Sequence, residues 1–252
     1  GDTGVMPPAF TSAHSHAFQI GLRGDGEQFP PGAADFWSWR QAMYGLVERM
    51  NPDLAYALAS RCYQEMLAAG IQTVGEFHYL RHASTGQPDF VLDQAILQAA
   101  HDTGIELVLL PAAYEEGGPG VDLAVAQQRF VTGGFDQYWK RFDQLQGELL
   151  PGQTIQACVH SLRAVPWDQV QKHLVESHHR GLRLHMHLEE QPRELKEIKS
   201  AYGAHPVQLL LNSGLPLEHV VGVHMTQTSE KEMVEWLDRG GMILPCPLTE
   251  GD

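Results

Sequence analysis

The chain has 252 residues, 43% of them hydrophobic, and a formal net charge of −14. The length suits one large domain or two small ones, and an α/β barrel of about 250 residues would use it whole. Such acidity argues against nucleic acid or an anionic membrane as partner, and an anionic substrate would need local basic residues to capture it.

In chain order, the opening GDTGVMPPAF has neither the basic region nor the apolar core of a secretory signal. Residues 8–18, PAFTSAHSHAF, form the first short β-rich run. A helix-like segment carrying Trp37, Trp39 and Tyr44 follows. Its aromatics read as core, Asp35 as its cap, and Arg40 as an arginine that can equally sit on the surface. Asn51-Pro52-Asp53 opens a helix running through LAYALASRCYQEMLAAG, with Asn51 as N-cap and Gly70 just past its end. Further strands are expected at 72–80, 105–114, 154–162, 182–190, 220–226 and 241–248. Helical patterns at 91–103, 122–147, 166–179, 191–202 and 229–239 separate them. Several strands follow a glycine that ends a helix: Gly70, Gly104, Gly181 and Gly241. The repeated strand–helix–strand order predicts parallel strands with right-handed crossovers. The runs ELVLL and GMILPCP read as strands covered on both faces. Seven strands are counted where a closed barrel of this kind needs eight, so either one strand is missing or the sheet is open. No apolar stretch approaches the roughly 20 residues of a membrane span. The scattered Cys62, Cys158 and Cys246, with no CxxC pair, fit a reducing compartment, so a cytoplasmic protein is expected.

The predicted strand ends carry polar side chains with regularity. They are His14 and His16, then Glu76, His78 and Tyr79, then Tyr114, then His160 and Arg163, then His185, His187 and Glu190, and last His224. In parallel α/β folds the active site lies at these carboxyl ends. Residues two apart on a strand share a face, so His14 and His16 can reach one ion. An imidazole from the fifth strand would complete a first-row metal site. An isolated HxH fits equally well histidines that only hydrogen-bond at a surface. His185 and His187 are both candidates for the fifth-strand ligand. His187 is preferred because Glu190 follows it by three, where a general acid or base could face a metal-bound water. Cys158 and Cys246 read as small buried residues, and Glu189 as solvated.

Taken together, HSHAFQ, FWSWRQAMY, EFHYL, HSLRAV, HMHLEEQ, GVHMTQ and CPLTEGD resemble the amidohydrolase superfamily and, within it, the formimidoylglutamate deiminases. The likeness covers nearly the whole chain. HxH is common to the superfamily, whereas FWSWR, EFHYL and HSLRAV carry the narrower resemblance. It implies a TIM-like (β/α)8 metal-dependent hydrolase barrel with one zinc ion per chain, held by His14, His16 and His187. It implies His224 and Glu190 as catalytic residues, the first handling the proton of the hydrolytic water and the second meeting the leaving nitrogen. Gln19, Arg40, Tyr79, His160 and Arg163 would hold the substrate, with the arginines at its carboxylates. The implied reaction converts N-formimino-L-glutamate, a small molecule with two carboxylates, to N-formyl-L-glutamate and ammonia in histidine degradation, in a cytoplasmic homodimer. Two other readings stand beside it: a superfamily deaminase acting on a purine, pyrimidine or triazine ring, and a truncated, non-catalytic metal-binding barrel.

The resemblance also has departures. The family's strand-eight aspartate comes well after the CPxTE segment, and Asp252, on the loop after strand seven, is not read as its substitute. The family's small β domain, built from both termini, is almost wholly absent. Residues 1–252 are therefore expected to form one barrel domain of strands one to seven, with 1–9 as the linker from that β domain. HMTQ stands where relatives often have a second histidine.

Overall fold

The computed structural model describes residues 9–24, 36–86, 88–247 and 249, without the side chains of 36–41. Its strands are β1 (Phe10–Ser15), β2 (Ile71–His78), β3 (Glu106–Ala113), β4 (Gln153–Ile155), β5 (Ala157–Val159), β6 (Leu184–Leu188), β7 (Val220–His224) and β8 (Met242–Leu244). The order in the sheet is β1-β2-β3-β5-β6-β7-β8, with β4 also paired to β3. Every strand pairing is parallel. β4 and β5 are one predicted strand interrupted at Gln156, whose N–H still donates to the Leu109 carbonyl at 3.0 Å. Each predicted run thus matches its strand, with β2 and β4 starting one residue earlier than expected, and the fold is a nearly closed TIM-like α/β barrel. Among the described residues no pairing joins β1 to β8.

The helices are α1 (Phe36–Arg49), α2 (Pro52–Ala68), α3 (Val91–Thr103), α4 (Phe135–Glu148), α5 (Trp167–His179), α6 (Pro192–Tyr202), α7 (Pro206–Asn212) and α8 (Glu230–Asp238). Local chemistry sets their ends. The Asn51 carboxamide oxygen accepts from Leu54 N–H at 2.9 Å and caps α2, and Gly70 takes a left-handed turn beyond it. Two expectations need correction, and one helix lies outside the expected set. The helix expected over 122–147 starts only at Phe135, because Gly133 and Gly134 both have φ near +90° and no right-handed helix passes through them. The residues before it form a loop with a 3-10 turn at Ala126–Arg129. The seven-residue α7, entered at Pro206, is too short to show a periodicity. Before β8 the left-handed residue is Gly240. Gly241 is instead needed for space, since a Cβ there would stand 2.4 Å from the Trp236 ring.

The core divides in two. Val74, Leu107, Leu109, Val159, Met186 and Val220 from the strands meet Phe142, Leu145, Leu174 and Trp236 from the helices. Burying each such side chain stabilises the fold by roughly 1.5–3 kcal/mol. A second cluster packs Phe18, Leu46, Phe77, Tyr79, Leu110, Tyr114 and Phe130 near the carboxyl ends of β2 and β3. It connects the barrel to α1 and supports the site described below. No helix among the described residues is long and apolar enough to cross a membrane.

One core residue opposes this apolar logic. His173 on α5 is buried against Tyr138, Trp139 and Phe135, and neither ring nitrogen has a hydrogen-bond partner. Burial pulls its pKa down to about 3, so the folded protein holds it neutral. Below pH 6.5 the unfolded chain binds a proton that the folded chain refuses, so this group's contribution falls as pH drops from 6.5 towards 3. The slope is at most about 1.4 kcal/mol per pH unit. Replacing His173 with leucine should raise stability by about 1–2 kcal/mol at neutral pH, because two unpaired polar atoms leave the core. The gain should widen on acidification. Urea unfolding of both proteins at pH 7 and pH 5 checks this, and an equal gain at the two pH values would contradict the assignment.

Candidate active site

The carboxyl ends of the strands open onto a cleft of about 1000 Å³. Every predicted site residue whose side chain is described lines it: His14, His16, Gln19, Tyr79, His160, Arg163, His187, Glu190 and His224. Arg40 lies on α1, with its side chain outside the described residues.

β1 and β6 bring three imidazoles together. His14 Nε2 lies 3.2 Å from His16 Nε2 and 3.2 Å from His187 Nε2. His16 Nδ1 is 2.8 Å from the Phe77 carbonyl and His187 Nδ1 is 3.1 Å from the His160 carbonyl. A carbonyl only accepts, so both Nδ1 atoms carry the proton and both Nε2 atoms present lone pairs. Burial, then neighbouring imidazoles, pulls His14 and His187 well below the ordinary histidine range. Burial lowers His16 to about 4. Three neutral rings therefore aim at one point where His14 can offer a proton to one neighbour at most. A cation resolves the conflict. Ligands placed tetrahedrally at 2.0–2.1 Å stand about 3.3–3.4 Å apart, close to the spacing found. The trio fits a first-row divalent ion. His185, two residues before His187 on the same strand, stays outside this group, and the trio uses His187. Cys246 does not behave as a buried small residue: it is half-buried, and its sulfur groups with His14 and His224 within 4.8 Å. Cys158 is buried as expected.

A second set of charges lies beside the imidazoles. Arg163 Nη2 donates to Glu190 Oε2 at 2.7 Å, and Arg163 Nε stands 3.6 Å from Glu194 Oε2. Burial opposes the arginine's charge, but Glu194 and Glu190 outweigh it and hold Arg163 firmly ionised. Burial alone would raise Glu190. Arg163 and His224 reverse that and keep it below its ordinary value. His224 Nε2 lies 3.8 Å from Glu190 Oε1. The Gln19 carboxamide donates to the Tyr79 hydroxyl at 3.1 Å. Tyr79 and Tyr114 flank the His160 ring, with centroids 5.3 and 4.8 Å away.

The loops after β6 and β7 are bent sharply. Glu189, His224 and Met225 all have positive φ (49°, 74° and 55°), a region costly for residues other than glycine. Packing must hold them there, and Glu189 supplies part of it. It is not solvated but 1% exposed. Its carboxylate accepts from Val207 N–H at 3.0 Å and from the Thr228 hydroxyl at 2.7 Å, joining the start of α7 to the loop after β7. His78 turns away from the cleft to Asp93. Glu194 and the aromatic wall completed by Phe130 were not singled out from the sequence. For Glu194 a signal exists: after Gln191 as N-cap and Pro192 at the first helical position, it is the third residue of α6, where a glutamate turns back to bind main-chain N–H groups.

Comparison with known proteins agrees with this geometry. The model of the amidohydrolase family matches residues 5–250. A formimidoylglutamate deiminase of Pseudomonas aeruginosa is 32% identical over 99% of this chain and 56% of its own length. A 5-methylthioadenosine/S-adenosylhomocysteine deaminase of Archaeoglobus fulgidus is 24% identical over 96% of this chain and 52% of its own. The chain thus spans about half the length of the curated relatives it matches. Among solved structures, an amidohydrolase from Brucella melitensis superposes with a TM-score of 0.85 at 32% identity, over 96% of this chain and 55% of that one. An adenosine deaminase from Xanthomonas campestris with bound zinc shares the fold at a TM-score of 0.73 and 20% identity, over 97% of this chain and 51% of that one. A family match over nearly the whole length and a barrel shared with a 32% identical relative lead to one conclusion: the chain belongs to the amidohydrolase family.

Proposed function

We propose that the protein of this chain is a zinc-dependent deiminase that hydrolyses N-formimino-L-glutamate to N-formyl-L-glutamate and ammonia. The observation that carries the reading is a half-buried, ionised Arg163 bonded to Glu190 in the same cleft as the three neutral imidazoles. The substrate has two anions at one end and an amidine at the other. An acidic protein needs fixed local cations to hold such anions. Arg163 serves this role with a planar fork that suits a carboxylate, and we assign the same role to Arg40 on the strength of the family resemblance. Gln19, Tyr79 and His160 add polar groups along the same wall. Zinc bound by His14, His16 and His187 would supply Lewis acidity and a water whose pKa is lowered to roughly 7. Addition of water to the formimino carbon gives a tetrahedral centre. His224 takes the proton released there. The Glu190 carboxylate, 3.8 Å from His224, receives that proton and passes it to the amidine nitrogen, and the hydroxyl proton of the tetrahedral centre follows to the same nitrogen as the C–N bond breaks, so that ammonia leaves and a formyl group remains. The scattered cysteines and the family resemblance extend the proposal to a cytoplasmic homodimer acting in histidine degradation.

A second reading draws on the ring-bearing wall. Tyr79 and Tyr114 lie nearly parallel, at 27°, and Phe130 packs on both. Such a surface also suits a nucleobase, the kind of group named in the Archaeoglobus relative. Arg163 separates the two readings. Converting it to alanine should raise KM for formiminoglutamate roughly 10- to 150-fold, as loss of a charge-assisted bond of about 1.5–3 kcal/mol implies. Lysine, lacking the fork, should recover only part of the loss. An unchanged KM would remove the assigned carboxylate contact.

A further inference from the structure

Glu190 and Arg163 come from different loops, yet the proposed reaction needs each held to a fraction of an ångström. Glu190 follows β6 and Arg163 follows β5. Glu190 sits directly after the left-handed Glu189, where the chain has no regular structure to hold it. One group holds both. Glu194 is 1% exposed and lies in the first turn of α6. Its Oε1 accepts the Glu189 N–H at 3.1 Å and its Oε2 accepts the Glu190 N–H at 3.1 Å. The same Oε2 faces Arg163 Nε at 3.6 Å.

We propose that Glu194 is the positioning residue of this site. It fixes the main chain under Glu190 and the guanidinium of Arg163 at once, so the proton-delivering end and the carboxylate-binding end are set by one buried carboxylate. This inference rests on the deiminase reading for what the two ends do, and on the geometry alone for what Glu194 holds. The chemistry favours a charged group here. Two main-chain N–H groups each donate to one oxygen of Glu194, and the Arg163 guanidinium faces the same carboxylate as an ion pair at 3.6 Å, a set that two acceptor oxygens bearing a negative charge suit best. Glutamine would keep one acceptor and turn an NH2 group towards a donor. Neighbouring Glu189 is equally buried but binds the start of α7 and Thr228, so it anchors the loop without touching Arg163 or the Glu190 N–H.

The test uses the zinc-loaded whole protein, with Glu194→Gln as the near-isosteric variant and Glu194→Asp as a second one that keeps the charge. Kinetics with formiminoglutamate and amide hydrogen exchange across residues 188–192 are read together. Displacing Arg163 raises KM and displacing Glu190 lowers kcat. The glutamine variant should therefore show both, each by tenfold or more, and exchange at Glu189 and Glu190 should quicken at least tenfold. Exchange in α4 and α5 should not change. Aspartate should recover KM better than kcat, because it restores charge near Arg163 but falls short of the N–H pair. A residue that only stabilised the fold would lower the melting temperature and leave KM and kcat in place. Kinetic constants within twofold of wild type, or unchanged exchange at 189–190, would overturn the proposal. If the wild-type protein did not turn over formiminoglutamate, the substrate reading would fail while exchange still decided the role of Glu194.

Discussion

Replacing Asp93 with alanine should destabilise the fold by about 3–5 kcal/mol, a large part of the 5–15 kcal/mol that typically holds a domain together. Asp93 is completely buried on α3 and, among the described residues, is the one anion that His78, Arg81 and Arg141 share. Arg81 binds it through Nε at 3.0 Å and Nη2 at 2.8 Å, His78 Nε2 lies 3.0 Å away, and Arg141 Nε donates at 3.0 Å. Burial works against this carboxylate, but Arg81 and His78 overcome it and hold Asp93 far below the usual carboxylate range. Alanine would leave the Arg81 guanidinium, 1% exposed, without the carboxylate that pairs it. The network also joins β2, α3 and α4, so its loss would loosen the strand end that carries Tyr79 into the cleft. Asparagine keeps hydrogen-bonding atoms and should cost less than alanine. Urea denaturation reads the difference directly, and a loss under 1 kcal/mol for alanine would show that the network contributes little.

Replacing His187 with alanine should abolish metal retention and catalysis together. His187 is the one member of the trio that comes from β6, whereas His14 lies on β1 and His16 directly follows it. Without it, His14 and His16 remain as a two-ligand site at the end of β1. Loss of an outer partner of a metal ligand typically costs 10–100-fold in affinity, and loss of the ligand itself should exceed that. Activity should fall at least 10³-fold, since the water-activating centre goes with the ion. Metal analysis after dialysis checks the first statement and ammonia release checks the second. His185→Ala, two residues earlier, should keep its metal. If both variants retained zinc equally, the ion would have to be held by other groups.

Much of this architecture is legible in the sequence because its signals are local. Short apolar runs such as ELVLL, several of them preceded by a helix-ending glycine, mark strands regardless of what surrounds them. The bounds of α3 and α5 follow from the same alternation. The HxH pair is legible because residues two apart in extended chain point the same way, and the chain keeps both rings together although β1 ends at Ser15. What the sequence conceals depends on where loops fold back. The amphipathic pattern of α4 continues backwards past Gly133 and Gly134, whose backbone ends it. Glu189 and Glu190 look alike as adjacent charges. Only the left-handed turn at Glu189 sends one under α7 and leaves the other in the cleft. Cys246 looks like any small core residue until β8 brings it beside β1 and β7. Glu194 reads as one more helix-surface charge, although its place in the first turn of α6 hints at main-chain binding.

In the proposed function a fixed arginine selects a dicarboxylate amidine for hydrolysis at a three-histidine metal centre. The most direct test is ammonia release by the zinc-loaded whole protein from N-formimino-L-glutamate, compared with guanine, adenosine and 5-methylthioadenosine at equal concentration. Formiminoglutamate should be turned over with a kcat/KM at least a hundredfold above any of the rings. Faster release from 5-methylthioadenosine or another ring would contradict it, and would assign the Tyr79–Tyr114 wall, not Arg163, as the feature that chooses the substrate.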